Sequence, residues 1–333
     1  MLSVKTIDAH AGGEPLRLIV DGFPSPRGNT MLEKREWVRR HADHLRRALM
    51  LEPRGHADMY GAVLTEPVLP GSHAGVLFMH NEGYSTMCGH GVIAVATVAL
   101  ERGLIAPRRS GEIVLDTPAG AVVARPRTSA DAAGAQVTSV SFLNVPSFVL
   151  HAAVPVELDG RTLAADVAFG GAFYAIVDSE AAGIPIAGER LEELRRAGMA
   201  IKRAVEAAVR VQHPLESDLR GLYGTIFTGP SSSADADLRN VTIFADAEVD
   251  RSPCGTGTSA VMAVLAAMGI LAPGQTFTHE SIIGTRFRGR IVRELSVGDL
   301  SAIEPEIEGE AYITGECTFL IDERDPLRYG FRL

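Results

Sequence analysis

Cysteine is scarce in this chain, with three in 333 residues. That is too few for a disulfide framework and points to a reducing compartment. Lysine is confined to Lys5, Lys34 and Lys202. The first lies at the N-terminal edge and the other two are expected on charged helix surfaces, so no lysine offers itself as a Schiff-base partner for pyridoxal phosphate. Neither motif cysteine belongs to a CxxC pair, and the ten histidines form no HxxxH with an acidic partner, so no metal site is expected. No apolar run approaches the roughly 18 to 20 residues that span a bilayer. The opening residues Met1 to Lys5 lead into strand-like alternation without a signal-peptide core, which makes the expected location cytoplasmic. The formal charge of -9 comes without a clustered basic stripe, which argues against nucleic acid as a partner.

What is present is a pattern used twice. Met87-Cys88-Gly89-His90-Gly91 and Ser252-Pro253-Cys254-Gly255-Thr256-Gly257 each place a cysteine before a glycine at the mouth of an apolar run. The two cysteines are 166 positions apart, half the chain, and laying 88–105 over 254–271 gives seven identities in eighteen positions. Those identities include the cysteine and three glycines. Nearby features repeat in the same order: Phe78 matches Phe244, Tyr60-Gly61 matches Tyr223-Gly224, and Gly12-Gly13 matches Gly170-Gly171. A hydrophobic content of 46% over this length suits two cores. The expected division is 1–140 carrying Cys88, joined by the C-terminal strand at 310–333, and 141–309 carrying Cys254.

Periodicity predicts the same elements in each half. The first has a strand at 16–20 and a helix over 30–51 opened by a Thr30/Glu33 capping box. Strands at 60–64 and 75–79 follow, then the Cys88 helix closed by Gly103. The second has a strand at 173–177, a helix over 189–211, strands at 222–227 and 241–244, and the Cys254 helix closed by Gly269. Each cysteine helix is apolar almost all round and should be buried, with alternating strands at 112–124 and 276–292 to wrap it. The stretch 127–135 reads as a surface loop, and Cys317, in an alternating strand at 311–320, as a small hydrophobe.

The first turn of a helix leaves backbone N–H groups without partners and carries partial positive charge, so it lowers a thiol's pKa and binds anions. Two such turns facing one cleft could hold a carboxylate on the amides of Gly89, His90, Gly255 and Thr256. One thiol would then lie on each side of the α-carbon, an arrangement suited to removing a proton from one face and returning one to the other. A Cys-His hydrolase built on His90 would not need the second cysteine. A tyrosine-phosphatase loop would need arginine where Ala94 and Ala260 stand.

The motifs MCGHG at 87–91 and DRSPCGTGT at 250–258 resemble those of the proline racemase family, which includes hydroxyproline 2-epimerases and trans-3-hydroxy-L-proline dehydratases. The likeness extends through DAHAGGEPLR at 8–17, EPRGHADMYGAV at 52–63, GVLFMHNEGYSTMCGHG at 75–91, GGAFYA at 170–175, FADAEVDRSP at 244–253 and DPLRYGF at 325–331. The resemblance implies an α+β fold of two pseudo-symmetric domains of the diaminopimelate epimerase type, each a mixed sheet around a central helix, and a reaction without cofactor. It also implies that Cys88 and Cys254 are the acid/base pair and that Gly89, His90, Gly255 and Thr256 hold the substrate carboxylate. Asp250 would face the ring nitrogen together with the His90 side chain; the plainer role for that carboxylate is to fix its own loop.

Outside the cysteines the sequence is most similar to the dehydratase branch, which usually carries threonine where this chain has Cys254. Ala11 also replaces a usual threonine. In trans-3-hydroxy-L-proline the hydroxyl shares a face with the α-hydrogen, so one thiolate can take the proton and protonate the departing hydroxyl. If dehydratases keep only the first cysteine, Cys88 faces the L-configured α-hydrogen, and Cys254 restores the second face. The resemblance therefore implies 2-epimerisation of trans-4- or trans-3-hydroxy-L-proline, with dehydration to Δ1-pyrroline-2-carboxylate as a second or main activity and proline racemisation as an alternative. A non-catalytic imino-acid binding protein is the reading from another class, and retention of both cysteines speaks against it. The expected partner is a small molecule, hydroxyproline or proline; the oligomeric state stays open, a homodimer among the options.

Overall fold

The computed structural model describes residues 1–131 and 134–332. The chain divides into two compact units, Met1–Phe142 with Glu310–Leu333, and Leu143–Gly309. The first unit opens with β1 (Leu2–Ala11), β2 (Glu14–Asp21), α1 (Met31–His41) and α2 (Asp43–Met50). It continues through β3 (Tyr60–Thr65), β4 (Ala74–His80), α3 (Gly89–Glu101), β5 (Ile113–Thr117), β6 (Gly120–Asp131) and β7 (Gly134–Leu143). The second unit contains β8 (Ser147–Leu158), β9 (Arg161–Phe169), β10 (Phe173–Asp178), the short α4 (Ser179–Ala182) and α5 (Leu191–Ala208). Then come β11 (Leu222–Pro230), β12 (Leu238–Phe244), β13 (Glu248–Asp250), α6 (Gly255–Ala267), β14 (Thr276–Glu280), β15 (Arg286–Val297) and β16 (Leu300–Gly309). The chain returns to the first unit in β17 (Ala311–Ile321), which pairs antiparallel with β1.

Both units use one connection scheme. In the first, β2 runs parallel to β3, β3 antiparallel to β4, and β4 parallel to β5. In the second, β10 runs parallel to β11, β11 antiparallel to β12, and β12 parallel to β14. A parallel pair needs a crossover, and each cysteine helix is such a crossover: α3 links β4 to β5, and α6 links β12 to β14. The second unit closes its sheet by antiparallel pairing of β16 with β8 (Ala302 with Phe148). A helix inside a wrapped sheet meets no water on any face, so it must be apolar all round. Every residue of α3 from Gly89 to Ala99 is buried, as is every residue of α6 from Gly255 to Val264. The architecture is therefore α+β, a mixed sheet around one central helix in each unit. Among the described residues no helix is long and apolar enough to cross a membrane.

Three expectations need correction. The helix expected over 30–51 is two helices, broken at Ala42 (φ -130°, ψ 10°). Ala42 is fully buried and joins the same core as Val38, Leu45, Leu49 and Met50, so the apolar period runs through the break and hides it. Thr30 does cap α1 by accepting from Glu33 N, but the Glu33 carboxylate reaches Asn29 N. The expected loop at 127–135 is instead the extension of β6 and β7, whose small polar residues imitate loop composition; Ala132 and Ala133 lie outside the described residues. The helix lysines are not surface groups. Lys34 is 5% exposed and donates to Thr65 Oγ1 and Glu66 O, while Lys202 donates to Ala245 O at 3.2 Å. Their long apolar stems carry the ammonium past the helix to backbone carbonyls, and burial holds both below the usual lysine range.

Candidate active site

Each motif cysteine is the residue that starts its helix. Cys88 caps α3 and its Sγ accepts from Gly91 N at 3.2 Å; Cys254 caps α6 and its Sγ accepts from Gly257 N at 3.3 Å. A cap of this kind satisfies one of the orphan first-turn donors. It also explains the glycine that both motifs share three residues after the cysteine. A Cβ at Gly91 would stand 2.9 Å from Cys88 Sγ and 2.4 Å from the Phe78 ring, and one at Gly257 would stand 2.9 Å from Cys254 Sγ. The shared glycine thus makes room for the sulfur in both turns, against Phe78 in the first unit and Ile226 in the second.

Around Cys88 the partner is an imidazole. Its Sγ lies 3.3 Å from His90 Nδ1, and both residues are buried. The Tyr60 and His90 rings meet edge to face with centroids 4.7 Å apart, and the Tyr60 hydroxyl is hydrogen-bonded to Ser85 Oγ. These contacts fix the ring that accompanies the sulfur.

Around Cys254 the partners are hydroxyls. Tyr174 OH, on β10, lies 3.7 Å from Cys254 Sγ and 2.7 Å from Thr256 Oγ1, which is itself 3.7 Å from the sulfur. Burial pushes the Cys254 thiol up to about 12, helped by the nearby Asp250 charge, while the hydrogen bonds from Tyr174, Gly257 and Thr256 pull the other way. The expected lowering by the helix terminus is therefore outweighed at this cysteine.

The backbone of Cys254 is strained, with φ 61° and ψ 101°, whereas Cys88 is ordinarily extended at φ -147°. A non-glycine residue at positive φ persists only where its surroundings over-determine it. Here they do. Asp250 Oδ1 accepts from Ser252 N and Ser252 Oγ, and Ser252 Oγ accepts from Cys254 N. On the other side Pro253 O accepts from Asn240 Nδ2 and from Thr258 Oγ1. Having given its proton to Pro253 O, the Thr258 hydroxyl accepts from His279 Nδ1 at 3.0 Å. His279 is fully buried and its pKa is pushed down to about 3 by that burial, so it serves as a neutral donor.

The structure thus gathers Cys88, Gly89 and His90 at one helix start, and Asp250, Cys254, Gly255 and Thr256 at the other. One oxygen of Asp250 does loop-fixing work. Tyr174, Ser252, Asn240, Thr258 and His279 join the site only through the fold. Tyr174 carried a usable signal: a tyrosine in the middle of the uniformly apolar run at 173–177 must find a partner for its hydroxyl. The Pro253 clamp had none, because Asn240 and His279 come from strands far apart in sequence.

Fold and site define a protein made of two sheet-wrapped units, each carrying a cysteine-capped crossover helix. A model of the Proline racemase family matches residues 6–332, and the chain belongs to that family. It is 48% identical over 331 residues to a trans-3-hydroxy-L-proline dehydratase of Bacillus thuringiensis subsp. konkukian, covering 98% of this chain and 97% of that one. It is 45% identical over 332 residues to a 3-hydroxyproline 2-epimerase of Burkholderia multivorans, covering 99% and 98%. Among solved structures, a hydroxyproline epimerase from Agrobacterium vitis with bound trans-4-hydroxy-L-proline superposes with TM-score 0.92 at 30% identity, covering 100% of this chain and 95% of that one. The resemblance read from the motifs and the α+β fold it implied are both borne out.

Proposed function

We propose that this chain is a cofactor-independent acid/base enzyme acting at the α-carbon of proline-type imino acids, with hydroxyproline 2-epimerisation as its reaction. The observation that carries the reading is the duplicated helix start, which puts a buried sulfur and a first turn of backbone amides in each unit. In this reading the amides of Gly89, His90, Gly255 and Thr256 hold the substrate carboxylate, and Cys88 and Cys254 stand on opposite faces of the α-carbon. His90 and Asp250 attend the ring nitrogen.

The two environments suit opposite protonation states. Cys88 has an imidazole at 3.3 Å that can hold the thiol proton, so it is the base toward the L-configured substrate. Cys254, kept neutral by burial, is the donor on the far face. As the α-proton leaves, charge grows on the carboxylate. Each preorganised donor on it contributes about 2.7–4 kcal/mol by analogy with oxyanion holes. The pair titrates as a unit, so the rate should follow a bell-shaped pH profile.

A second reading, dehydration of trans-3-hydroxy-L-proline, is favoured by the 48% identity to a protein named for that activity. It needs only Cys88, so the two can coexist. Proton NMR of trans-4-hydroxy-L-proline, trans-3-hydroxy-L-proline and L-proline, each incubated with the protein in D2O, tests both. Epimer formation supports the first reading and Δ1-pyrroline-2-carboxylate the second. No change in any of the three would refute both and leave a binding protein.

A further inference from the structure

We infer that the Tyr174 and Thr256 hydroxyls form a reversible hydrogen-bond adapter for the Cys254 sulfur, donating to it when it is a thiolate and accepting from it when it is a thiol. The inference rests on the acid/base role proposed above for Cys254 and adds Tyr174 to the residues that touch a reacting atom.

The geometry is a triangle: Tyr174 OH to Thr256 Oγ1 at 2.7 Å, and each oxygen to Cys254 Sγ at 3.7 Å. All three residues are buried. Among the described residues these two hydroxyls have no side-chain partners beyond each other and the sulfur. A hydroxyl is one donor and an acceptor, and its hydrogen rotates about the C–O bond. With a thiolate, one hydroxyl donates to the other and the second donates to sulfur. With a thiol, the S–H donates into the pair and the hydroxyl hydrogens turn the other way. No heavy atom moves. Epimerisation in the two directions needs Cys254 once as donor and once as base, and this triangle satisfies both states.

In the first unit the equivalent position carries a different group. At the position 166 residues before Thr256 stands His90, and the Cys88 sulfur meets a ring that can itself take up a proton. Tyr174 cannot do so in the same way. Burial, followed by the neighbouring Cys254 and Tyr223, raises its pKa well above the ordinary phenol value, so it stays neutral and supplies a dipole. Ionisable groups facing Cys254 include Asp250, which raises the thiol, and Tyr174. Tyr223 stands behind Tyr174, ring edge on at 5.9 Å. His279, reached through Thr258, is neutral. Together with the Gly257 amide, the hydroxyl pair favours the Cys254 thiolate against burial and Asp250.

The test is the pH dependence of iodoacetamide alkylation at Cys254, read by peptide mass spectrometry in a Cys88→Ser background. Tyr174→Phe should shift the profile upward by roughly one pH unit, about a tenfold slower reaction at a given pH. Thr256→Val, which removes the other hydroxyl with little change of shape, should shift it in the same direction and serves if Tyr174→Phe does not fold. With Cys88 intact, Tyr174→Phe should move the alkaline limb of the kcat/KM profile by the same amount and leave the alkylation of Cys88 unchanged. An alkylation profile superimposable on that of the parent would overturn the inference. A shifted thiol with an unshifted kcat/KM limb would uphold the adapter and overturn the acid/base role of Cys254.

Discussion

Replacing Cys254 with threonine separates chemistry from backbone strain. Cys254 holds φ 61° and ψ 101°, a region that costs an L-residue roughly 1–2 kcal/mol. A second heavy atom on Cβ makes positive φ worse, because β-branched residues there are genuine outliers. Serine removes the thiol without adding the branch. Cys254→Thr should therefore be about 1–2 kcal/mol less stable than Cys254→Ser, a factor of roughly 5–30 in the folded-to-unfolded ratio. Equilibrium unfolding in urea followed by far-ultraviolet circular dichroism measures this; fluorescence would not, since the only tryptophan, Trp37, belongs to the other unit. In activity, both variants should lose epimerisation by about 10²–10⁴-fold, the usual contribution of a positioned acid/base. The dehydration of the second reading, which needs only Cys88, should persist in both wherever wild type shows it. Equal urea midpoints with equal slopes would refute the strain argument, and near-wild-type epimerisation by either variant would remove Cys254 from the proton path.

Gly257→Ala would set a Cβ 2.9 Å from both Cys254 Sγ and the Ile226 side chain; it should cost about 1–3 kcal/mol by overpacking and slow epimerisation, and a variant as stable and active as wild type would show that the sulfur-holding turn is not tight. His279 is buried neutral with its pKa near 3, depressed below its unfolded value, so the stability tied to its neutral form is complete above about pH 6.5 and is lost as pH falls toward 3. His279→Gln should flatten that part of the stability–pH curve between pH 6.5 and 4, and curves of identical slope for variant and wild type would contradict it. Activity is expected to survive exhaustive chelation without added pyridoxal phosphate and to be abolished by iodoacetamide; loss on chelation restored by metal would count against the acid/base account.

The fold was legible where one physical constraint dominates a stretch of sequence. The almost all-round apolar character of 89–99 and 255–264 announces a helix inside a sheet, and the repeat offsets announce two such units. The break at Ala42 was not legible, since no glycine or proline marks it and the apolar period continues through a buried corner. The buried Lys34 and the half-buried Lys202 differ from the expected surface lysines because a charged residue on a helix says nothing about where a four-carbon stem ends. At the site, both cysteines and their glycines could be read from the duplication. The strain at Cys254 could not, because it is imposed by Asn240, Ser252, Thr258 and His279 acting together, and no local pattern joins those four. For Asp250, the plainer role open in the sequence, fixing its own loop, is the one its bonds to Ser252 display.

The proposal that the two capped sulfurs flank a single α-carbon is tested most directly by a crystal structure with pyrrole-2-carboxylate, planar like the deprotonated intermediate. The expected result is a competitive inhibitor whose carboxylate is held by the amides of Gly89, His90, Gly255 and Thr256 and whose C2 lies between Cys88 Sγ and Cys254 Sγ. A complex in which the ring binds away from either sulfur would contradict it.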